Sequence, residues 1–152
     1  MSFAINEIVR DPKVLTRLRA EVDANIPFDV EIPSLSQIKL PYLIMILKET
    51  MRLRFSGFGT FRECLVDTEI SGVTFPANIT FALWNPAVHR DPRLWDNPDT
   101  FDPERWLLGK SHIRGSYFPF SYGPRNCIGQ GLAMFKMTIT LATLFRRYDF
   151  TF

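Results

Sequence analysis

The chain has 152 residues, 46% hydrophobic and 22% charged, with a net charge of +2 at pH 7. That length suits one domain, and the composition excludes a disordered or low-complexity chain. So small a net charge gives no footing for nucleic acid as a partner, and no apolar run approaches a membrane span, the best being Leu43 to Leu47.

Met1 to Glu7 lack the basic start and apolar run of a signal peptide. Ala4, Ile5, Ile8 and Val9 recur at helical spacing, so the chain opens in a helix. Asp11-Pro12 then supplies an N-cap with proline at the first helical position. Val14, Leu18 and Val22 stripe one face of this second helix, which should end near Asn25, before Pro27. Ser34 and Gln37 are spaced as a capping box and predict a short helical turn after Pro33.

Pro41 opens the next helix, which runs to Leu53. Glu49 and Arg52 fall at i and i+3 on one face of it, among Leu47, Met51 and Leu53. Apolar surroundings predict a pair that is at least partly buried. A buried arginine needs further acceptors and a buried carboxylate further donors, so a third partner is expected.

From Gly57 to Trp84 the pattern changes to strands and turns. Phe61 to Val66 reads as one strand, with Cys64 as a core thiol. Glu69-Ile70 and Val73 to Phe75 flank Ser71-Gly72, a two-residue hairpin turn, and Ile79, Phe81 and Leu83 alternate as a half-buried strand. Asn-Pro and Asp-Pro pairs make 85–106 an irregular meander, and His89 within it has no second ligand at metal spacing, so it is read as structural. Lys110 to Gly115 is a basic, polar loop.

Phe120 to Gly129 is the most informative stretch. It sets Cys127 in a Gly/Pro-punctuated loop ahead of a helical pattern from Gly129 to Arg147 that is apolar on nearly every face. A thiol there faces the positive end of a helix dipole and free N–H groups, with Arg125 two residues away, and both favour the thiolate form that ligates metals. Beyond Arg147, Tyr148 to Phe152 reads as an incipient strand. Cys64 and Cys127 permit one disulfide at most, which is no disulfide scaffold.

Phe-x-x-Gly-x-Arg-x-Cys-x-Gly resembles the haem-binding signature of the cytochrome P450 family, with Phe120, Gly123, Arg125, Cys127 and Gly129 in its fixed positions. Glu49-Thr-Met-Arg52 resembles the family's Glu-x-x-Arg helix, and Pro103-Glu-Arg-Trp106 its Pro-Glu-Arg-Phe segment. His89-Arg-Asp-Pro92, Trp95, Pro98 and Phe101 look like its meander. The resemblance implies an α+β, mainly helical fold, the C-terminal part of the cytochrome P450 architecture, with residues 1–152 as a single partial domain. The N-terminal part and the distal haem side, with its oxygen-activating acid/alcohol pair, are expected to lie outside it.

By the same resemblance the cofactor is haem b, Cys127 is the axial ligand of its iron, and Arg62 and Arg125 hold its propionates, carboxylates that suit a guanidinium. Arg105 would join Glu49 and Arg52 as the third partner, a structural set without a chemical step. Gly57, Phe58, Gly59 and Thr60 correspond to a substrate-lining segment; two glycines replace the family's usual prolines and should leave that turn looser.

The implied function is monooxygenation: one oxygen atom of O2 enters a small apolar organic substrate. Electrons come from an NADPH-dependent reductase or a ferredoxin, since the chain carries no nucleotide-binding glycine motif. No catalytic residue is assigned. The alternatives are a haem-thiolate peroxide isomerase or dehydratase, and a truncated, non-catalytic fragment. A full-length eukaryotic parent would sit in the endoplasmic reticulum membrane, whereas this chain alone, without a membrane segment, would be cytoplasmic.

Overall fold

The computed structural model describes residues 1–27, 29–30, 39–54, 57, 59–107, 113 and 115–150. Helix α1 (Ser2–Arg10) is followed without a linker by α2 (Pro12–Asn25), because Asp11 serves both. Its extended backbone ends the first helix, and its carboxylate accepts from the Lys13 and Val14 amides at the start of the second. Helix α3 (Pro41–Leu53) has no cap of its own; Glu21 of α2 reaches across to accept from the Tyr42 and Leu43 amides at 2.7 and 2.9 Å. The long helix α5 (Gln130–Arg147) closes the described bundle.

These four helices share one core. Ile8, Leu18, Val22, Leu43, Ile46 and Leu141 are each completely buried. Helix α5 enters that core chiefly through Leu141, Ala142 and Phe145, with Met134 and Met137 packed against its edge, whereas Leu132 near its start remains 64% exposed. The all-round apolar pattern of this helix thus divides into a buried end and an uncovered end.

Strand β1 (Thr60–Glu63) pairs antiparallel with β4 (Thr80–Leu83), placing Arg62 opposite Phe81. Strands β2 (Thr68–Ile70) and β3 (Val73–Phe75) form the expected hairpin. Ser71 and Gly72 both take positive φ, 50° and 81°, as a type I′ turn requires. The expected strand over 61–66 is shorter in the structure. Cys64 keeps backbone bonds to Ile79 and Asn78 and is buried, but Leu65 and Val66 turn outward into solvent.

The meander is also less irregular than its prolines suggested. Asn85–His89 form the short helix α4, and Pro103–Trp106 a 3₁₀ turn capped by Asp102. Tyr148 is extended, but Tyr148 to Phe150 form no strand; Phe150 packs on Phe145 with ring centroids 5.1 Å apart. The Ser34/Gln37 capping box, Phe58 and most of the 110–115 loop lie outside the described residues.

Candidate functional site

A buried charge cluster stands between α3 and the meander. Arg52 and Glu49 are fully buried and Arg105 nearly so. Glu49 Oε1 accepts from Arg52 Nη2 at 2.8 Å and from Arg105 Nε at 2.9 Å; its Oε2 accepts from Arg52 Nε and from the Trp106 indole. Arg52 spends its remaining N–H groups on the carbonyls of His89, Pro98 and Thr100. Arg105 does the same with Asp96, Asn97 and Thr100. Two guanidiniums against one carboxylate leave a positive excess, which these carbonyl dipoles offset. Trp95 stacks under both arginines, 5.1 and 5.9 Å from the guanidinium carbons to its ring centre. The structure therefore brings Glu49, Arg52 and Arg105 together, and adds Trp95 and Trp106, which the sequence placed in family segments but not in this cluster.

From this cluster the chain leads to the cysteine loop. Phe118 to Ser121 turn sharply, with the Ser121 amide donating to the Phe118 carbonyl at 3.0 Å. Ser121 and Gly123 both adopt positive φ, 67° and 77°. For serine that conformation is strained, because its Cβ crowds the backbone. A 3₁₀ turn, Gly123–Arg125, follows, and the Cys127 amide donates back to the Phe120 carbonyl at 2.8 Å. The Gln130 amide bonds to the Cys127 carbonyl at 3.3 Å, so the cysteine sits directly before the first turn of α5.

Cys127 is a free, exposed thiol. Ile128 beside it is fully exposed, Tyr122 and Leu132 are more than half exposed, and Phe120 is half-buried. A cleft of about 340 Å³ runs behind the loop between Met51, Phe120, Tyr122, Gly123 and Met134. Gly129 lies beside the thiol: a Cβ there would make an ordinary contact 3.8 Å from the sulfur. Arg125 is exposed, and no hydrogen bond or ion pair of its side chain occurs among the described residues.

Arg62 is exposed on β1 and folds back on the Phe61 carbonyl. Among the described residues, no hydrogen bond joins it to the cysteine loop. Gly59 approaches the neighbouring strand closely: its φ is 110°, and a Cβ would lie 2.5 Å from the Leu83 carbonyl oxygen. Gly57 is exposed, and Thr60 starts β1 opposite Leu83.

A single soft thiol within an uncovered apolar surface, with an unengaged guanidinium two residues away, suits a flat apolar iron macrocycle carrying carboxylates. No cluster of three or more His, Cys, Asp or Glu side chains suited to a bare metal ion exists among the described residues. No helix among them is long and apolar enough to cross a membrane.

Comparison with known proteins agrees with this chemistry. The family model described as Cytochrome P450 matches residues 1–152. Over 155 residues the chain is 37% identical to cytochrome P450 CYP13A6 of Caenorhabditis elegans, covering 99% of this chain and 30% of that protein. Cytochrome P450 3A5 of Homo sapiens is 34% identical over 151 residues, with 99% and 30% covered. Thromboxane-A synthase of Sus scrofa is 34% identical over 156 residues, with 99% and 29% covered. The chain thus spans about 30% of the length of the curated relatives it matches.

Proposed function

The chain belongs to the cytochrome P450 family, whose members are haem-dependent oxidoreductases, and on that premise we propose that residues 1–152 form the C-terminal, haem-binding part of a haem-thiolate monooxygenase. The observation that carries this reading is the free, exposed Cys127 thiol, on a loop whose Phe120, Gly123, Arg125 and Gly129 fill the remaining signature positions. When bound there, haem b supplies oxygen activation, since a thiolate ligand donates electron density and favours O–O cleavage.

The chain's own residues bind and hold. Cys127 ligates iron, and its backbone N–H, tied to Phe120, fixes the direction in which the sulfur leaves the loop. Arg125 and Arg62 take the propionates as charge-assisted partners. Ile128 and Leu132, exposed in the chain alone, and half-buried Phe120 would meet the apolar face of a bound haem and shield the sulfur from water, which would keep the thiolate's electrostatic influence strong. Glu49, Arg52 and Arg105 hold α3 against the meander and touch no reacting atom. The substrate is a small apolar organic molecule, lined in part by Gly57 to Thr60, and electrons arrive from a separate reductase or ferredoxin. A membrane-anchored parent in the endoplasmic reticulum fits this reading.

Haem titration tests the binding half of the proposal. The chain should take up one haem, and Arg125→Ala should weaken uptake roughly tenfold by removing one charged hydrogen-bonding partner. Uptake unaffected by both Cys127→Ala and Arg125→Ala would overturn it.

The similarity to a protein named thromboxane-A synthase favours a second reading within the same family, in which Cys127 would hold a haem that supplies peroxide-isomerase or dehydratase chemistry, needing neither O2 nor a reductase. Product formation from a hydroperoxide with no reductase present distinguishes it from monooxygenation. Haem uptake without turnover by either route would instead fit the remaining alternative, a non-catalytic fragment.

A further inference from the structure

Asn85 and His89 lie one turn apart on α4, both almost completely buried, and both reach the same residue of the cysteine loop. His89 Nε2 accepts the Phe118 amide at 3.0 Å. Asn85 Nδ2 donates to the Phe118 carbonyl at 3.0 Å, the same oxygen that receives the Ser121 amide. The Phe118 ring also meets the His89 ring edge-on, with centroids 5.2 Å apart. On its other side the His89 carbonyl is held by Arg52 at 2.8 Å.

We propose that Asn85 and His89 are positioning residues for Cys127, a two-point clamp on Phe118 that ties the cysteine loop to the buried Glu49–Arg52 pair. The path runs through contiguous bonds: Arg52 to the His89 carbonyl, His89 and Asn85 to the Phe118 backbone, Phe118 to Ser121, and Phe120 to the Cys127 amide. The loop needs such a hold because Ser121 keeps a left-handed conformation that a free chain would abandon. The clamp also fixes the histidine chemically. Accepting at Nε2 requires a neutral ring with its proton on Nδ1. In relation to haem the proposal rests on the reading of Cys127 as the ligand; the clamp itself is a property of the chain.

Hydrogen exchange of individual amides tests it. His89→Phe keeps a ring of similar size and removes the acceptor, while His89→Gln restores an acceptor near the Nε2 position. In His89→Phe the Ser121 and Cys127 amides should exchange roughly tenfold faster, the loosening expected when a buried donor loses its partner. The Leu43 to Leu47 amides in α3 should be unchanged, and His89→Gln should recover most of the protection. Should His89→Phe fail to fold, Asn85→Ala removes only the second point and should give a smaller acceleration confined to the same amides. Acceleration shared equally by α3, or none in the loop, would overturn the proposal. In haem-loaded protein, His89→Phe should also lose part of the red-shifted ferrous–CO band, with recovery in His89→Gln. A wild-type chain that takes up no haem would contradict the ligand reading and leave the exchange result to decide the clamp.

Discussion

Arg105 reaches Glu49 from 56 positions further along the chain and donates to the same carboxylate oxygen that Arg52 engages from one helical turn away. One anion therefore serves two buried cations, and neither arginine has water to fall back on. Glu49→Gln keeps the shape but removes the charge and points an amide N–H₂ at a guanidinium. The loss should be about 3–5 kcal/mol of unfolding free energy, the cost of leaving buried charge uncompensated. Removing the half-exposed ion pair between Arg54 and Glu7 by Arg54→Ala should cost below about 1 kcal/mol. Urea unfolding of the two variants checks both values, and similar losses would contradict the contrast.

His89 makes stability depend on pH. Burial, and then the Arg52 cation, hold its imidazole down at about 4, whereas it starts from 6.5. Between those values the unfolded chain binds a proton that the folded one refuses. Stability is therefore complete above about pH 6.5 and falls as pH drops towards 4, by up to roughly 3 kcal/mol. Denaturant midpoints of wild type and His89→Gln, measured from pH 7 to 4.5, should converge as pH falls. Parallel curves would show that His89 is not the group responsible.

Gly59 and Gly72 both have positive φ, but their surroundings differ. A methyl group at Gly59 would collide with the Leu83 carbonyl, while nothing lies within 4 Å of one at Gly72. Gly59→Ala should cost about 3 kcal/mol through clash and strain together, and Gly72→Ala about 1 kcal/mol through strain alone. Thermal melts of the two variants give the order directly.

Much of this was legible in the residues. Asp11-Pro12 and Pro41 mark helix starts because cap and ring chemistry act locally, and α2 and α3 begin where those signals stand. The demand of buried Arg52 for further acceptors and of buried Glu49 for further donors is also local chemistry; the structure answers the first with three carbonyls and the second with Arg105. Helix α4 was not legible: five residues are too few for periodicity, and its Asn85-Pro86 start reads equally as a turn. The grip of Asn85 and His89 on Phe118 is a tertiary relation across about 30 residues, and no spacing rule announces it. Nor does a serine disclose the positive φ of Ser121, which the surrounding bonds impose.

The central claim is that Cys127 presents a thiolate to haem iron. The most direct measurement is the absorption spectrum of the reduced, CO-bound, haem-reconstituted chain, beside that of Cys127→Ser. A Soret band with the thiolate red shift in the first and without it in the second is the predicted result. A haem-loaded wild type that lacks the red shift, or a Cys127→Ser variant that keeps it, would contradict the account.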